Sequence, residues 1–185
     1  METVAVIDFE TTGLSPAMGD RATEVGVVIV DDGRIVDRYQ SLMNAGAHIP
    51  PFIEALTGIS NAMIRKAPPA AEVMSALAEF VGDVPLVAHN ASFDGKFLDA
   101  EWLRINQQRR QEFACSLLLA RRIYPAAPDH KQGTLVGHLD LPSAARHHRA
   151  LADAEMAAHL WVRLVSDIKQ QHGLSVVPHT FLRVL

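Results

Sequence analysis

The sequence predicts an α/β domain in which helices are layered on a mixed β-sheet. Three observations lead to this prediction: a meander of strand-like runs in the first 45 residues, an alternation of helical segments with a short strand after them, and a globular composition. The 185 residues are 49% hydrophobic and 21% charged, which excludes a disordered chain or a coiled coil as a description of the whole. A chain of this length normally forms one domain with its own core.

Three strands are predicted before residue 45. An apolar run covers residues 3–10, and a run rich in β-branched residues covers 23–30. The segment 31–34, Asp-Asp-Gly-Arg, is typical of a hairpin turn, and residues 35–42 return as a third strand. The first part of the sheet is therefore expected to be a meander.

After residue 50 the apolar residues follow helical spacing, interrupted by one more strand. The predicted elements are a short helix at 52–57 that ends at Gly58, a helix that starts after Pro68 and Pro69 and extends to Val81, a buried strand at 85–88, and helices at 92–106 and 116–124. Residues 125–134 contain two prolines and a glycine and are expected to form a loop.

The longest predicted helix extends from about residue 148 to residue 171. Its apolar residues follow 3-4-3-4-3 spacing and form one stripe: Leu151, Ala154, Ala158, Trp161, Val165 and Ile168. Residues 1–172 are therefore expected to form the domain, followed by a short tail at 173–185.

The tail is expected either to fold back on the domain or to seal a homodimer; the alternative is a peptide that docks on a partner. Seven of its residues are apolar: Leu174, Val176, Val177, Phe181, Leu182, Val184 and Leu185.

Composition also restricts location and partners. No apolar stretch approaches the roughly 18–20 residues of a membrane span, and residues 1–3 lack the basic start of a signal peptide. The single cysteine, Cys115, fits a reducing cytoplasm. With 17 basic and 21 acidic residues the formal charge is −4, which argues against a nucleic-acid partner.

Two acids stand within the first predicted strand. Asp8 and Glu10 are two residues apart, so both carboxylates project to one face of a strand. Neighbouring carboxylates repel each other, and one takes up a proton unless a cation lies between them. The two acids are therefore either solvated at the strand end or ligands of a divalent metal. The following residues 11–13, Thr-Thr-Gly, offer consecutive backbone N–H groups on a permissive turn, which suits an anionic or hydroxylated substrate.

A third acid, Asp94, lies at the start of the helix that follows the predicted strand 85–88. Ligand sites in open α/β sheets lie at the carboxyl ends of strands, which favours a place in the same site. The alternative is an acid that only interacts with the helix dipole.

A fourth acid lies on the apolar stripe of the longest helix. Asp153 neighbours Leu151 and Ala154, where an unpaired carboxylate is unfavourable. His148 lies five residues earlier, about 140° around an ideal helix, and is therefore expected at or before the first turn, on a segment that reaches across the site. The pair His147 and His148 is alternatively a surface cap.

Together the four acids and His148 suggest a site for two metal ions. Oxygen ligands favour Mg²⁺ or Mn²⁺ over structural zinc. Two such ions, roughly 3.5–4 Å apart, clamp the attacking and leaving oxygens of a phosphoryl displacement. His148 is the candidate general base for water, because an unperturbed imidazole changes its charge near neutral pH.

Three segments in this order resemble the motifs of the DEDDh exonucleases, the group that contains the proofreading subunit of bacterial DNA polymerase III. They are residues 8–14 (Asp-Phe-Glu-Thr-Thr-Gly-Leu), 89–94 (His-Asn-Ala-Ser-Phe-Asp) and 148–153 (His-Arg-Ala-Leu-Ala-Asp). Residues 56–59 (Leu-Thr-Gly-Ile) also resemble the polymerase-associated branch. The likeness covers about residues 3–170, and three ordered motifs are far more specific than a lone Asp-x-Glu.

The resemblance implies a ribonuclease-H-like fold, a mixed β-sheet with helices on both faces, and 3′→5′ hydrolysis that releases nucleoside 5′-monophosphates. It places two metal ions, Mg²⁺ or Mn²⁺, on Asp8, Glu10, Asp94 and Asp153. It makes His148 the residue that activates water.

The resemblance also implies contacts with the substrate. These are Thr11, Thr12, Gly13 and Leu14 in the first motif and His89, Asn90 and Phe93 in the second. Leu14 is expected to wedge against the terminal base. His89 is alternatively a hydrogen-bonded structural residue.

The implied substrate is a single-stranded or frayed 3′ end of DNA, because oligoribonuclease-like relatives usually have Met where this chain has Thr11. An RNA-trimming or short-oligonucleotide exonuclease is the alternative among enzymes, and a non-catalytic end-binding subunit is the alternative of another class. A DNA polymerase is an implied partner, although the polymerase III subunit binds it through a C-terminal extension and only 13 residues, Gly173–Leu185, follow the long helix here.

The four acids of the predicted site also change the meaning of the charge balance. Without them the chain has 17 basic and 17 acidic residues, so two divalent ions would offset the whole net charge of −4. The near-neutral remainder predicts modest affinity directed at a strand end rather than at a long duplex.

Overall fold

A five-stranded mixed sheet is the centre of the computed structural model, which describes residues 1–143 and 148–183. The strands are β1 (Val4–Thr11), β2 (Ala22–Asp31), β3 (Arg34–Leu42), β4 (Leu86–Ala88) and β5 (Phe113–Cys115). Their order in the sheet is β3-β2-β1-β4-β5. The first three are antiparallel neighbours, whereas β4 runs parallel to β1 and β5 parallel to β4. The predicted mixed sheet is confirmed.

Eight α-helices are found in the part of the chain that the structure describes. They are α1 (Pro51–Thr57), α2 (Asn61–Lys66), α3 (Ala70–Val81), α4 (Ala91–Arg104), α5 (Ser116–Ile123), α6 (Gln132–His138), α7 (Ala150–His172) and α8 (His179–Leu182), with a 3-10 turn at Pro16–Met18.

Strand β1 is buried on both faces, and this fixes the layers of the fold. Val4 and Val6 belong to a core cluster that contains Trp161 of α7. Ile7, which points the opposite way, belongs to a second cluster that contains Phe97 of α4. Helices therefore cover both faces of the sheet, as predicted, and the side chains that follow Val4 and Val6 in alternation lie on the α7 face.

The start of α7 lies directly on β2. A Cβ atom at Gly26 would overlap the backbone of Ala150 and Leu151, so glycine is the residue that admits this approach. Gly26 is the ladder partner of Asp8 on β1. The close contact therefore places the first turn of α7 beside the acids of β1.

Several elements differ from the prediction. Strand β5, with three residues, and helices α2 and α8, with six and four, were not predicted, because they are too short to show a periodic pattern. Helix α6 starts inside the predicted loop 125–134, because Leu135 and Val136 are buried, and Leu135 packs in the cluster beneath α7. Helix α7 begins at Ala150 rather than at 148, since His148 has a left-handed backbone (φ 60°) and Arg149 is extended.

Part of the tail packs against the domain, whereas Leu174, Val176 and Phe181 are exposed. Val177 and Leu182 lie in the same cluster as Trp161, and Nε2 of His179 lies 2.9 Å from the carbonyl oxygen of Leu86. The last two tail residues, Val184 and Leu185, lie outside the described residues. The boundary between a domain at 1–172 and a tail at 173–185 stays a prediction, as does a homodimer.

Across residues 1–143 and 148–183, none of the helices has the length and apolarity that a membrane crossing requires.

Candidate active site

Three elements meet at one end of the sheet and bring the five predicted core residues of the site together. Asp8 and Glu10 lie near the end of β1, and Asp94 lies in the first turn of α4, just after β4. Asp153 lies in the first turn of α7, and His148 precedes that helix by two residues. Glu10, His148 and Asp153 each offer one ligand atom, and these atoms lie within 4.8 Å of one another.

A hydrogen bond to Asp94 connects the second motif to the first. Its side chain is buried, and its Oδ1 accepts a hydrogen bond of 3.2 Å from the backbone N–H of Phe9, between the two acids of β1. This bond fixes the start of α4 against β1 and holds Asp94 beside Asp8. This contact does not fit the alternative in which Asp94 interacts only with the helix dipole, because its carboxylate also accepts a hydrogen bond from strand β1.

Three carboxyls of the site have a raised pKa. Burial is the largest cause for each, and it raises the pKa of Asp94 to about 7. Burial raises the pKa of Glu10 to about 8, with added repulsion from Asp153. The pKa of Asp8 lies well above its ordinary range because burial is reinforced by repulsion from Asp94, Asp153 and Glu10. The protein alone therefore does not compensate the charge that these acids carry when ionised.

A divalent cation fits this donor set. Carboxylate oxygens with one nearby imidazole are ligands that Mg²⁺ and Mn²⁺ accept. The positive charge would stabilise the ionised form of the three buried acids and offset the repulsion that contributes to the raised pKa values of Asp8 and Glu10. The residues present thus match a site for divalent metal ions.

Glu24 holds the segment that carries His148. Its carboxylate accepts hydrogen bonds from Nε (3.0 Å) and Nη2 (2.6 Å) of Arg149, and from the backbone N–H of Ala150 (3.1 Å). Glu24 is also the ladder partner of Glu10. The turn that presents His148 is therefore attached directly to the strand next to the acids. Sequence reasoning did not single out Glu24, although an acid within a β-branched run was a signal for it.

The site opens into a cavity of about 470 Å³ on the α7 side. The cavity is lined by Asp8, Phe9, Glu10, His148 and Asp153 and by four residues at the start of α6 that the sequence did not predict: Lys131, Gln132, Gly133 and Thr134. Nε2 of Gln132 donates a 2.6 Å hydrogen bond to the backbone oxygen of Asp153. Helix α6 thereby connects to the first turn of α7, a tertiary contact that no local pattern indicates.

After Glu10, more polar groups are hydrogen-bonded within the protein than the sequence predicted. The backbone N–H of Thr12 donates to the oxygen of Arg21, because the β1–β2 ladder continues past a bulge, and the hydroxyl of Thr11 donates to the oxygen of Gly13. The predicted run of free N–H groups is therefore incomplete. Gly13 does not have a positive φ, and a Cβ atom there would meet only the carboxylate at the end of the Asp20 side chain.

The predicted substrate contacts differ in exposure. Leu14 is 77% exposed, so its side chain is available to a ligand. Asn90 is exposed, has a left-handed backbone and precedes α4, and Phe93 is half-buried with Nζ of Lys96 4.8 Å from its ring centre. Both ring nitrogens of His89 are hydrogen-bonded within the protein, which is the structural alternative left open by the sequence.

His147, the neighbour of His148 in the predicted pair, lies outside the described residues, together with residues 144–146.

The fold and the site together define a class of protein: an α/β domain that gathers carboxylates and a histidine at strand ends in the arrangement of a divalent-cation site. Residues 5–161 match the model of a family described as exonuclease, and the chain belongs to that family. The family predicted from the three motifs is thus confirmed.

A DNA polymerase III of the PolC type from Bacillus cereus is 37% identical to this chain over 168 residues, which cover 90% of this chain and 12% of the relative. The chain thus spans about one eighth of the length of the curated relatives that it matches.

Solved structures show the same fold. Exonuclease X, in complex with 5′ overhanging duplex DNA, has a TM-score of 0.74 and 29% identity, covering 93% of this chain and 94% of that chain. The nuclease domain of 3′hExo, a DEDDh family member bound to rAMP, has a TM-score of 0.76 at 19% identity, covering 90% of this chain and 92% of that chain. These likenesses confirm the predicted ribonuclease-H-like fold.

Proposed function

We propose that this chain is a divalent-metal-dependent 3′→5′ exonuclease that hydrolyses DNA from its 3′ end and releases nucleoside 5′-monophosphates. The observation that carries the proposal is the convergence of Asp8, Glu10, Asp153 and His148 at one open cavity. The buried carboxylate of Asp94 is held against the same strand by the N–H of Phe9. Membership of the exonuclease family supports the same chemistry.

In this proposal Asp8, Glu10, Asp94 and Asp153 hold two divalent ions, Mg²⁺ or Mn²⁺. When bound, these ions would neutralise the carboxylates and the negative charge that develops on the phosphoryl oxygens. The protein contributes a rigid placement: the Phe9 N–H fixes Asp94, and the contact of α7 with β2 fixes Asp153.

His148 is the proposed general base. Its exposed side chain faces the cavity from a segment held by Glu24, so a ring nitrogen can take the proton of the attacking water. Its ligand atom lies within 4.8 Å of those of Glu10 and Asp153, so the proposed base stands beside the acids that would hold the metal ions.

The exposed side chain of Leu14 is proposed to contact the terminal base, next to Thr11, Thr12 and Gly13. Asn90 and Phe93 are proposed to contact the strand from the start of α4, with His89 behind them. DNA is the proposed substrate because Exonuclease X, whose solved complex contains DNA, is 29% identical over nearly the whole of both chains. The proposed ligand is a single-stranded or frayed 3′ end.

The experiment compares matched DNA and RNA oligonucleotides, labelled at the 5′ end, in Mg²⁺ and in Mn²⁺. We expect faster shortening of DNA than of RNA, and a rate at least about 10²-fold lower for Asp8→Asn, which lacks one ligand charge. Asp83→Asn, a change at an exposed acid away from the site, is the matched control. Binding of the oligonucleotide without turnover in either metal would instead indicate an end-binding subunit.

The cellular setting is also a proposal. The lone Cys115 favours the cytoplasm. The relatives named as DNA polymerase III favour work beside a polymerase.

A further inference from the structure

A second cavity adjoins the candidate active site. It has a volume of about 580 Å³ and lies between α5 and the start of α6. Lys131 and Gln132 line both this cavity and the one that contains Asp8, Glu10 and Asp153, so the two cavities are neighbours. The proposed roles in hydrolysis use the first cavity and leave the second without a function.

The second cavity carries two cations that have no ion pair. Arg121 of α5 and Lys131 are exposed, and neither is paired with an acid among residues 1–143 and 148–183. Such pairing is otherwise frequent in this protein, as in Arg21 with Glu101 or Arg109 with Asp99. Two unpaired cations on one concave surface form an anion-binding environment.

The acid of this cavity is already engaged. Asp129 accepts a hydrogen bond of 2.8 Å from the backbone N–H of Lys131, and its side chain is also hydrogen-bonded to Thr134. These bonds are local, as expected for an acid that orders a turn before a helix. Asp129 still attracts Lys131 and offsets one of the two positive charges, so the cavity keeps a net positive charge. The ammonium group of Lys131 is exposed and can contact an anion.

Hydrogen bonds to His89 fix the backbone next to Lys131 and the start of α5 relative to each other. Nε2 of His89 lies 2.9 Å from the oxygen of His130, and Nδ1 lies 3.0 Å from the hydroxyl of Ser116. A neutral ring that donates from Nε2 and accepts at Nδ1 satisfies both partners, and burial lowers the pKa of His89, which favours this neutral form. His89 thereby attaches the backbone before Lys131 to α5, the helix that carries Arg121.

We propose that Arg121 and Lys131 form a phosphate-binding subsite for the nucleic-acid strand, on the 5′ side of the phosphodiester that is hydrolysed. This inference rests on the proposed function. If the 3′ end lies among the acids of the first cavity, the rest of the strand continues outward, and the adjoining cavity is the neighbouring surface that offers cations to its backbone. A phosphate contact positions the strand without reading its sequence, so the subsite is expected to act on all sequences alike.

The test compares two substrates. One is single-stranded oligothymidylate of twelve residues; the other is p-nitrophenyl thymidine 5′-monophosphate, which has a single phosphate and cannot reach the subsite. For Arg121→Ala we expect the ratio of kcat/KM for the oligomer to that for the ester to fall about 5–20-fold, through KM. We expect the slope of log KM against log salt to shrink by about 0.7, the value for losing one single-strand phosphate contact. Lys131→Ala is expected to show the same loss of slope.

The matched controls are Arg122→Ala, the next residue along α5, and Lys66→Ala, an exposed lysine of α2. Both remove one charge outside the second cavity, and both are expected to leave the substrate ratio and the salt slope unchanged. An equal loss in Arg122→Ala would show a general charge effect and overturn the proposal.

Two further outcomes decide the source of the phosphate and separate the two proposals. If Arg121→Ala weakened inhibition by thymidine 5′-monophosphate but left the KM of the oligomer unchanged, the cavity would hold a released nucleotide, and the strand subsite would be wrong. If the wild-type protein hydrolysed neither substrate, the proposed function itself would fail. Normal hydrolysis of the ester with an unchanged oligomer ratio in Arg121→Ala would overturn only the subsite.

Discussion

At the scale of single residues, the site contains three carboxyls, Asp8, Glu10 and Asp94, whose pKa values are raised chiefly by burial. Asp94 is buried and receives one backbone N–H, and the pKa of Glu10 is raised to about 8. Side chains in this condition are unfavourable for folding, and their presence at a strand end is explained by ligands that bring positive charge. His148, by contrast, is exposed on a strained turn, as suits a residue that exchanges protons with solvent.

The first prediction concerns the role of His148. His148→Ala should lower kcat by about 10²–10⁴-fold, the usual cost of losing a general base, while Mn²⁺ binding measured by calorimetry largely persists. His138→Ala, an exposed histidine of α6, is the control and should retain wild-type kcat. A collapse of Mn²⁺ affinity in His148→Ala would make His148 a metal ligand and contradict its assignment as base.

Some of the residues of the site could be predicted from the sequence. The two-residue spacing of Asp8 and Glu10 and the place of Asp153 on an apolar stripe were enough to predict a shared site. Lys131 and Gln132 were not predictable in this way, because their place at the cavity depends on how α6 packs on α7. Thr12 was interpreted as offering a free N–H, and the continuation of the ladder to Arg21 removes it.

At the scale of elements, the site depends on how α7 docks. Its first turn touches β2 at Gly26, where a side chain has no space, and its N-terminus is held by the buried carboxylate of Glu24. The two contacts lie opposite Asp8 and Glu10 on β1. A small displacement of this helix would therefore move Asp153 and His148 away from the other acids.

The second prediction tests the close approach at Gly26. Gly26→Ala forces a methyl group into the backbone of Ala150 and Leu151, so we expect a loss of about 1–3 kcal/mol in the free energy of unfolding. Exonuclease activity should fall by more than the folded fraction explains. Gly137→Ala in α6, where a methyl group meets open space, is the control and should be neutral or slightly stabilising. Full activity in Gly26→Ala would show that the docking of α7 does not position the site.

The third prediction concerns Arg149, a positioning residue. Arg149→Ala leaves Glu24, which is 1% exposed, without its cation. We expect a loss of about 2–3 kcal/mol, below the ~3–5 kcal/mol of a fully buried pair because Arg149 is 29% exposed. Denaturant unfolding measures the loss, and kcat should fall more than KM rises.

Two comparisons make the Arg149 prediction specific. Arg149→Lys should restore part of kcat, since a single charged donor still reaches Glu24. Arg38→Ala breaks another ion pair between the sheet and α7, to Glu155, but a largely exposed one, and should cost less than about 1 kcal/mol without lowering kcat. Equal effects of Arg149→Ala and Arg38→Ala on kcat would contradict the positioning role.

Elements with a clear period were predictable, and short ones were not. The β1–β3 meander and the stripe of α7 follow from alternation and 3-4 spacing. Strand β5 exists because it pairs with β4, and α6 because Leu135 and Val136 are buried there. Both are consequences of tertiary contacts that a local window does not contain.

At the scale of the whole molecule, the formal net charge of −4 equals the formal charge of the four site acids. The rest of the chain is balanced at 17 basic and 17 acidic residues. Metal binding, folding and pH are therefore expected to be linked through the same few carboxyls.

The fourth prediction is the sign of that linkage. In metal-free protein, the pKa values of Asp94 (about 7) and Glu10 (about 8) exceed the ordinary values near 4, so the folded state binds more protons than the unfolded state between these limits. Stability is therefore present at acidic pH and is lost as the pH rises through 7–8. In EDTA, we expect Tm to be at least about 4 °C higher at pH 5.5 than at pH 8.5.

Magnesium and one variant check the cause of this change in Tm. Adding Mg²⁺ should raise Tm more at pH 8.5 than at pH 5.5, because protons no longer compete for the carboxyls. Asp8→Asn should raise the metal-free Tm at pH 8.5 and reduce the effect of Mg²⁺. Equal stabilisation by Mg²⁺ at both pH values would contradict the linkage.

The central claim, that the acids and His148 hydrolyse a strand from its 3′ end, is tested most directly by product analysis. A single-stranded DNA labelled at its 5′ end and a second one labelled at its 3′ end are incubated with the protein and Mg²⁺. We predict that the 5′-labelled strand gives a ladder of products, each one nucleotide shorter than the last. The 3′ label should be released at once as a nucleoside 5′-monophosphate. Asp8→Asn should give neither product. Internal cuts, first release of the 5′ label, or undiminished products in Asp8→Asn would contradict it.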